Sequence, residues 1–367
     1  MILGMVFAIL LLGRYLSKKK DADLLLVLLL LLMIYERTTY TVGFMGWYDT
    51  FKNTKINYYL WPIGLALGPL IYLYVRTTIR TPFRLTKKDL WHFAPVLTYF
   101  TYKMVLILHD MQQDDWNQGY AVGWKAAFDD TYVNAIQVFL TYSSQLLYGA
   151  FTVQLFVTYR KRVVSYFSNT YKVELNWIKV FLGVYVILFV YGTIADLIDV
   201  NVMDLDYIHY WWVNLANALA IVFLGFMAYR VDLARLHELT WDVTPAQEEI
   251  HPKQMAQYEK GLAKIEACIR SNEAHLNPDM NLKDLAHMTG YTTHEISEHI
   301  NQGLGINFNE YINQYRVDAV KMALKDPEKS HLSLVAIAMD SGFNSKATFN
   351  RVFKKITGQS PSQYRSS

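Results

Sequence analysis

Leu285-Ala286-His287-Met288-Thr289-Gly290-Tyr291 and Ile337-Ala338-Met339-Asp340-Ser341-Gly342-Phe343 are two copies of one pattern, 52 residues apart: an aliphatic residue, alanine, three variable positions, glycine and an aromatic. Beyond the glycine the spacing becomes 53, which matches Ile296 and Ile300 with Phe349 and Phe353, and Gly305 and Tyr311 with Gly358 and Tyr364. The second turn therefore holds one additional residue. A repeat of this kind marks a supersecondary unit used twice. Two helices that cross closely need a small side chain at the contact, which Ala286 and Ala338 supply. The tight turn between them needs a residue tolerant of positive φ, which Gly290 and Gly342 supply. Thr292 and Ser345 then suit the caps of the following helices. The pattern predicts two helix-turn-helix units within 253–367.

In each following helix the apolar residues recur at four-residue spacing, which turns one face inward and leaves the other for a DNA major groove. The second unit's free face carries Lys346, Asn350, Arg351, Lys354 and Lys355, and no acidic residue occurs from Gly342 onward. That is a local positive field suited to phosphate. The first unit differs. Thr293, His294, Glu295, Ser297, Glu298, Asn301 and Gln302 can bond to base edges but offer phosphate little attraction.

The run from Gly342-Phe343-Asn344-Ser345-Lys346 through Phe349, Asn350, Arg351, Val352, Phe353, Lys354 and Lys355 to Gly358, Pro361, Tyr364 and Arg365 resembles the carboxy-terminal signature of the AraC family of bacterial regulators, especially its membrane-bound branch. Tyr311-Ile312-Asn313 with Arg316-Val317 and Ala319 resembles that family's connecting helix. The resemblance covers about the last hundred residues. It implies a seven-helix domain with a long linker helix, and recognition helices that enter successive major grooves on one DNA face. It also implies Thr348, Asn350 and Arg351 as the main base readers of the second unit, with Asn313 and Arg316 holding the linker helix. One departure stands out: Glu298, Asn301 and Gln302 lie where many family members carry basic residues. Double-stranded DNA is the expected partner, with RNA polymerase a further one for an activator.

The rest of the chain has another character. Of 367 residues 53% are hydrophobic and the net charge is only +3. Tryptophan and tyrosine crowd the part before residue 230. Seven segments approach the roughly 20 apolar residues that a bilayer requires: 2–16, 24–44, 58–78, 90–108, 132–159, 175–199 and 207–230. Basic residues cluster in alternate connections, as Arg14 with Lys18 to Lys20, then Arg76, Arg80, Arg84, Lys87 and Lys88, then Arg160 to Arg162. The fourth and sixth connections are acidic, with Asp110, Asp114, Asp115, Asp129 and Asp130, then Asp199, Asp204 and Asp206. The second, with Asp49, Lys52 and Lys55, is neutral evidence. Basic loops face the cytoplasm, so the amino terminus is expected outside and the carboxy-terminal domain inside. No cleavable signal peptide is evident. The expected architecture is all-α: a seven-helix transmembrane sensor or anchor domain over 1–232, a linker over 233–252 and the DNA-binding domain over 253–367, in a bacterial inner membrane.

Polar residues within spans call for a reason. Glu36, Arg37, Lys103 and Asp196 lie in the outer halves of their segments with Asn134, Gln137, His209, Asn214 and Asn217. They predict either an outward-facing signal pocket roofed by 109–131, or interhelical pairs such as Glu36 with Lys103 and Arg37 with Asp196. The signal, a ligand or a membrane partner, is not identified by the sequence. Paired DNA-binding domains on two half-sites would require a homodimer. Single Cys268 excludes an internal disulfide and a cysteine-rich metal site. His109 with Asp110 and Asp114 comes nearest to a ligand cluster and reads as solvated surface. No nucleophile, zincin, phosphate-loop or kinase motif is found, so no enzyme activity, cofactor or metal is expected. A tether without sensing, or a membrane enzyme or transporter with an appended regulator, are the alternatives.

Overall fold

The computed structural model describes residues 1–46, 63–79, 85–112, 124–170, 173–203, 205, 207–230 and 252–366. Nearly all of the expected linker over 233–252, the second loop with Asp49, Lys52 and Lys55, and Arg80, Arg84, Asp114, Asp115, Asp204 and Asp206 lie outside the described residues. The chain divides into two compact units: Met1–Phe156 with Asn176–Ala234, and Val157–Leu175 with Arg235–Ser367. Both are helical, and the described residues hold no strand beyond one bridge pair, Phe167 with Asn281.

The first unit contains α1 (Ile2–Lys18), α2 (Asp21–Phe44), α3 (Leu67–Ile79), α4 (Ala94–Asp110), α5 (Asn134–Tyr166, which continues into the second unit), α6 (Asn176–Asn201) and α7 (Trp211–Arg230). Each segment read from the sequence carries a helix, but among the described residues only three are long and apolar enough to cross a membrane: Asp21–Phe44, Asn176–Asp199 and Ile208–Arg230. The expectation of seven is corrected to three on these grounds. The reasons are physical. Helices α1 and α4 have 17 residues each, short of the roughly 20 that span hydrocarbon. Gly64–Ile79 is a shorter apolar helix. The 33 residues of α5 are diluted by Gln137, Ser143, Ser144, Gln145 and Gln154.

Leu11, Leu26, Leu29, Leu30, Val75 and Leu224 are wholly buried in this unit. Arg14 ties its parts: it pairs with Asp23 at 2.6 Å and donates to the carbonyls of Ala228 and Tyr229, which α7 leaves unsatisfied at its end. The outer face is apolar instead of polar. Phe139 is 69% exposed and Ile187 68%, in company with Val105, Leu146, Phe151 and Leu197. Neither expected interhelical pair forms. Lys103 pairs with Asp129 at 2.5 Å on a π-helical turn, Asp129–Val133. Glu36 lies 3.7 Å from its neighbour Arg37, which donates to Asn214. Asp196 accepts from the phenols of Tyr142 and Tyr210. Partners nearer to hand take each charge first.

The second unit holds α8 (Pro252–Ser271), α9 (Leu282–Thr289), α10 (Thr293–Leu304), α11 (Phe308–Lys325), α12 (Leu334–Asp340), α13 (Lys346–Thr357) and α14 (Pro361–Ser366). The repeat spacing is kept in the helices: α9 and α12 begin 52 residues apart, α10 and α13 begin 53 apart. Leu282, Leu285, Ile296 and Ile300 are fully buried in the first repeat. In the second, Val317, Val320, Ile337, Ala338, Phe343, Phe349, Val352 and Phe353 form one cluster. Its rings meet edge-on or tilted, Phe343 to Phe349 at 5.4 Å and Phe353 to Tyr364 at 5.4 Å. Burying each phenylalanine contributes about 1.5–3 kcal/mol, which fixes α13 on α11 and so aims its outer face.

Candidate nucleic-acid interface

Both turns have the backbone that their glycines allow. Gly290 has φ +75° and Gly342 φ +89°, a region costly for other residues. The two differ in surroundings. A Cβ on Gly290 would meet nothing within 4 Å, whereas one on Gly342 would lie 2.4 Å from the His275 carbonyl oxygen and 2.9 Å from Arg316 Nε. Ala338 is fully buried and Ala286 half-buried. Thr292 accepts from the Glu295 N–H in a capping box, and Ser345 accepts from the Thr348 N–H. These caps set where each second helix begins, and thereby which residues face out.

On α13, Lys346, Asn350, Arg351, Lys354 and Lys355 are exposed. The side chains of Lys346, Asn350, Arg351 and Lys354 carry no hydrogen bond or ion pair among the described residues, so their polar ends are open to a ligand. Thr348 is half-buried and accepts from the Ser345 hydroxyl at 2.9 Å. Lys355 donates to Glu310 at 2.5 Å, and this bond holds the Glu310 carboxyl below its usual range. That lysine is largely neutralised within the domain. Arg365 donates to the carbonyls of Ser330 and Leu332 and fastens α14 to the turn before α12.

The matching face of α10 is closed and acidic. Ser297 is buried and accepts from Asn301 at 3.1 Å. It lies beside Ile296 and Ile300, within the inward stripe. Glu298 accepts from the Tyr258 hydroxyl of α8 at 2.8 Å and lies 3.7 Å from His294. Thr293 is half-buried, and His294 and Glu295 are the exposed members of the expected set. The backbone N–H of Thr292 holds Glu295 below the ordinary carboxylate range, so its charge persists at neutral pH.

Residues 274–367 match a helix-turn-helix domain family. Over 93 residues the chain is 32% identical to the HTH-type transcriptional activator AarP of Providencia stuartii, a quarter of this chain and 67% of that protein. The chain belongs to the AraC-type family of helix-turn-helix transcription regulators. The same identity over 93 residues relates it to uncharacterized HTH-type transcriptional regulators of Staphylococcus aureus, strains COL and MSSA476, again a quarter of this chain. It spans only 12% of those relatives' length. No solved structure matches.

As in its sequence, the regulator's polar residues in the first unit do not all converge. A cavity of about 340 Å³ is lined by Glu36, Arg37, Tyr142, Tyr185, Asp196 and Asn217 among others. Lys103 is not in its lining. Among the described residues no cluster of histidine, cysteine and carboxylates could hold a metal. Sequence reasoning missed two features of the AraC-type domain. One is the capture of Glu298 by Tyr258, for which the only sequence sign is the aromatic itself. The other is that Val157–Leu175, the end of α5 and the segment leading to α6, belongs to the second unit.

Proposed function

We propose that this AraC-type regulator binds double-stranded DNA sequence-selectively from a membrane anchor, with α13 as the principal reading helix. The observation that carries the reading is the open basic face of α13. Arg351 and Asn350 have the donors and acceptors for base edges, and Lys346 and Lys354 flank them for phosphate. Thr348 is placed at the helix start for a base or sugar contact, with Lys355 at the rim. On α10, His294 makes a weaker second contact, with Thr293 beside it at the helix start.

Anchoring is supported by three apolar helices of spanning length and by the apolar outer face of the first unit, since soluble domains rarely expose such patches. In our reading the three helices of spanning length, α2, α6 and α7, anchor the chain in the bilayer of a bacterial inner membrane. The basic ends at Lys18 to Lys20 and Arg160 to Arg162 then face the cytoplasm. The cavity is the signal site. Two carboxylates against one guanidinium, with Tyr142, Tyr185 and Phe189 in the wall, favour a small ligand with a cationic head and an apolar body. The name of AarP points toward activation, hence toward RNA polymerase as a partner, and a homodimer would place two domains on two half-sites.

The test is selection of genomic duplexes by the full-length protein in lipid nanodiscs, at low and moderate salt, beside Arg351→Ala. Selective, salt-weakened binding that loses selectivity in the variant supports the reading. Selection of no sequence at either salt would overturn it. If Glu36→Gln and Asp196→Asn both leave reporter transcription unchanged across growth conditions that modulate the parent, the membrane unit is a tether alone.

A further inference from the structure

Within the second unit, the segment joining α5 to α6 is built into the DNA-binding fold. Phe167 bridges Asn281 in antiparallel fashion, and the Ser168 N–H donates to the Met280 carbonyl at 3.1 Å. Asn309, in the first turn of α11, donates to the carbonyls of Phe167 at 3.3 Å and Ser168 at 2.7 Å. Arg316, two turns further on, donates to the Ser168 carbonyl at 3.1 Å and hydroxyl at 2.9 Å. That hydroxyl in turn donates to the Met280 carbonyl. Phe167 and Ser168 are 5% and 1% exposed. This is a docked strap with its polar groups met, not a loop lying on a surface.

Arg316 is the point where the strap meets the rest of the domain. It is 1% exposed, and its other partners are the carbonyls of His275 and Asn277, both at 2.9 Å. Among the described residues no carboxylate accepts from it, though Asp279 attracts its charge from nearby. Burial pulls its pKa down to about 10, so it remains charged at neutral pH and depends on these carbonyls for compensation. The same guanidinium abuts Gly342, the turn that aims α13. One buried cation thus touches the strap, the segment before α9 and the turn of the second helix-turn-helix unit. Beside it, a cleft of about 410 Å³ is lined by Arg160, Thr170 and Glu174 of the strap region together with Glu310, Arg351 and Lys355.

We infer that the strap is the transmission element of the regulator: its docking on Asn309 and Arg316 couples α5 and α6 to the aim of α13. This rests on the proposed reading of α13 as a DNA-binding helix. The strap is the nine residues Phe167–Leu175, tied covalently at one end to α5 and at the other to α6, and with the last ten residues of α5 it belongs to the second unit. Those two helices contribute Gln137, Thr141 and Tyr142, and Tyr185 and Asp196, to the cavity wall. A ligand that changes how α5 and α6 pack moves both ends of the strap. Small shifts between packed helices are carried as steps from one arrangement to another, and here they arrive at Arg316 and Gly342.

The test is hydrogen exchange on the full-length protein in nanodiscs, with and without the duplexes it selects. Three forms are compared: the parent, Asn309→Ala, and a chain with four glycines inserted after Thr170 to slacken the strap. In the parent the Ser168 amide is expected to be protected without DNA, and to exchange at least roughly tenfold faster in Asn309→Ala while Phe349 to Phe353 stay protected. Bound duplex slows exchange of 166–170 and of the adjoining ends of α5 and α6 in the parent, because coupling is reciprocal. With the strap slackened, duplex protects α13 but leaves the α5 and α6 ends unchanged. An unprotected Ser168 amide in the parent overturns docking. Protection of α13 by duplex with no change in the strap overturns transmission and leaves DNA reading intact. Failure of every duplex to protect α13 overturns the DNA reading itself, and the coupling with it.

Discussion

The two helix-turn-helix units share a backbone and differ in almost everything that faces away from it. Each has an αL glycine, a hydroxyl cap and a buried stripe four residues apart. Yet α13 offers Lys346, Asn350, Arg351 and Lys354 with open ends, while α10 offers His294 and two carboxylates, one of them held by Tyr258. Turn and cap chemistry are dictated by the backbone, so the fold requires them twice. The outward face is under no such requirement. In the proposed reading, affinity for a polyanion belongs to the second unit, and the first contributes orientation and shape.

The largest expected difference between the units lies in their turns. Gly342→Ala places a Cβ 2.4 Å from the His275 carbonyl oxygen, an atom already bound by Arg316, and adds the strain of positive φ. It is expected to destabilise the domain by about 3 kcal/mol or more, through a backbone clash that cannot relax cheaply. Gly290→Ala meets open space and should cost only the αL strain, about 1–2 kcal/mol. Thermal unfolding of the full-length variants, read by exchange at Leu285 and Phe353, compares them. Equal losses would mean that the crowding at Gly342 is not what holds the second turn.

Next in size is DNA binding. Arg351→Ala should weaken selected duplexes by about 1–3 kcal/mol and relax selectivity at the base it reads, whereas Lys354→Ala should weaken all sequences alike and lower the salt slope by about 1. Glu298→Ala on α10 should leave affinity unchanged or improve it, by removing a carboxylate from the face nearest phosphate. Titration against selected and scrambled duplexes at two salt concentrations separates the three. A loss in Glu298→Ala as large as that in Arg351→Ala would overturn the division of labour.

How much of this was legible in the sequence follows from which interactions are local. Gly290, Gly342, Thr292 and Ser345 act within a few residues of themselves, and their roles were readable from position alone. So were the buried stripes through Ile296 and Phe349. Ser297 was misread because a four-residue stripe has width, and a small polar residue at its edge turns inward with it. The pairs Glu36 with Lys103 and Arg37 with Asp196 failed for another reason. Charge complementarity does not say which partner is nearest, and Asp129, Asn214 and two tyrosines came first. The strap was invisible because Arg316 and Ser168 are 148 residues apart, and Ser168 bonds mainly through backbone groups that every sequence possesses. The apolar pattern suggests seven spans where three helices meet length and composition together, because α1, α3, α4 and α5 are apolar enough to resemble spans but fall short in helix length or are diluted by polar residues.

The smallest effect concerns a position where the repeat pairs a titrating residue with one that cannot titrate. His299 matches Val352 at the 53-residue spacing. It is 7% exposed, lies 5.8 Å from the Tyr258 ring and 5.3 Å from that of Tyr291, and its Nδ1 has no hydrogen-bond partner among the described residues. Burial lowers its pKa, against a smaller opposing pull from Glu298 and Glu295. The folded state therefore holds the imidazole neutral, while the unfolded chain takes up a proton near the ordinary value of about 6.5. Above that pH the group favours neither state. As pH falls through 6.5 toward the depressed folded value, the unfolded state binds the proton first and stability is lost. His275 is shifted in the same direction, by burial and then by Arg316, so some acid sensitivity belongs to the strap side of the domain as well. The expected result is that His299→Gln flattens the decline in thermal stability between pH 7 and 5 without abolishing it, while Val352→Ala lowers stability by a similar amount at every pH. An unaltered pH slope in His299→Gln would show that the first unit gains no acid sensitivity from its buried histidine, and that the two stripes differ in shape alone.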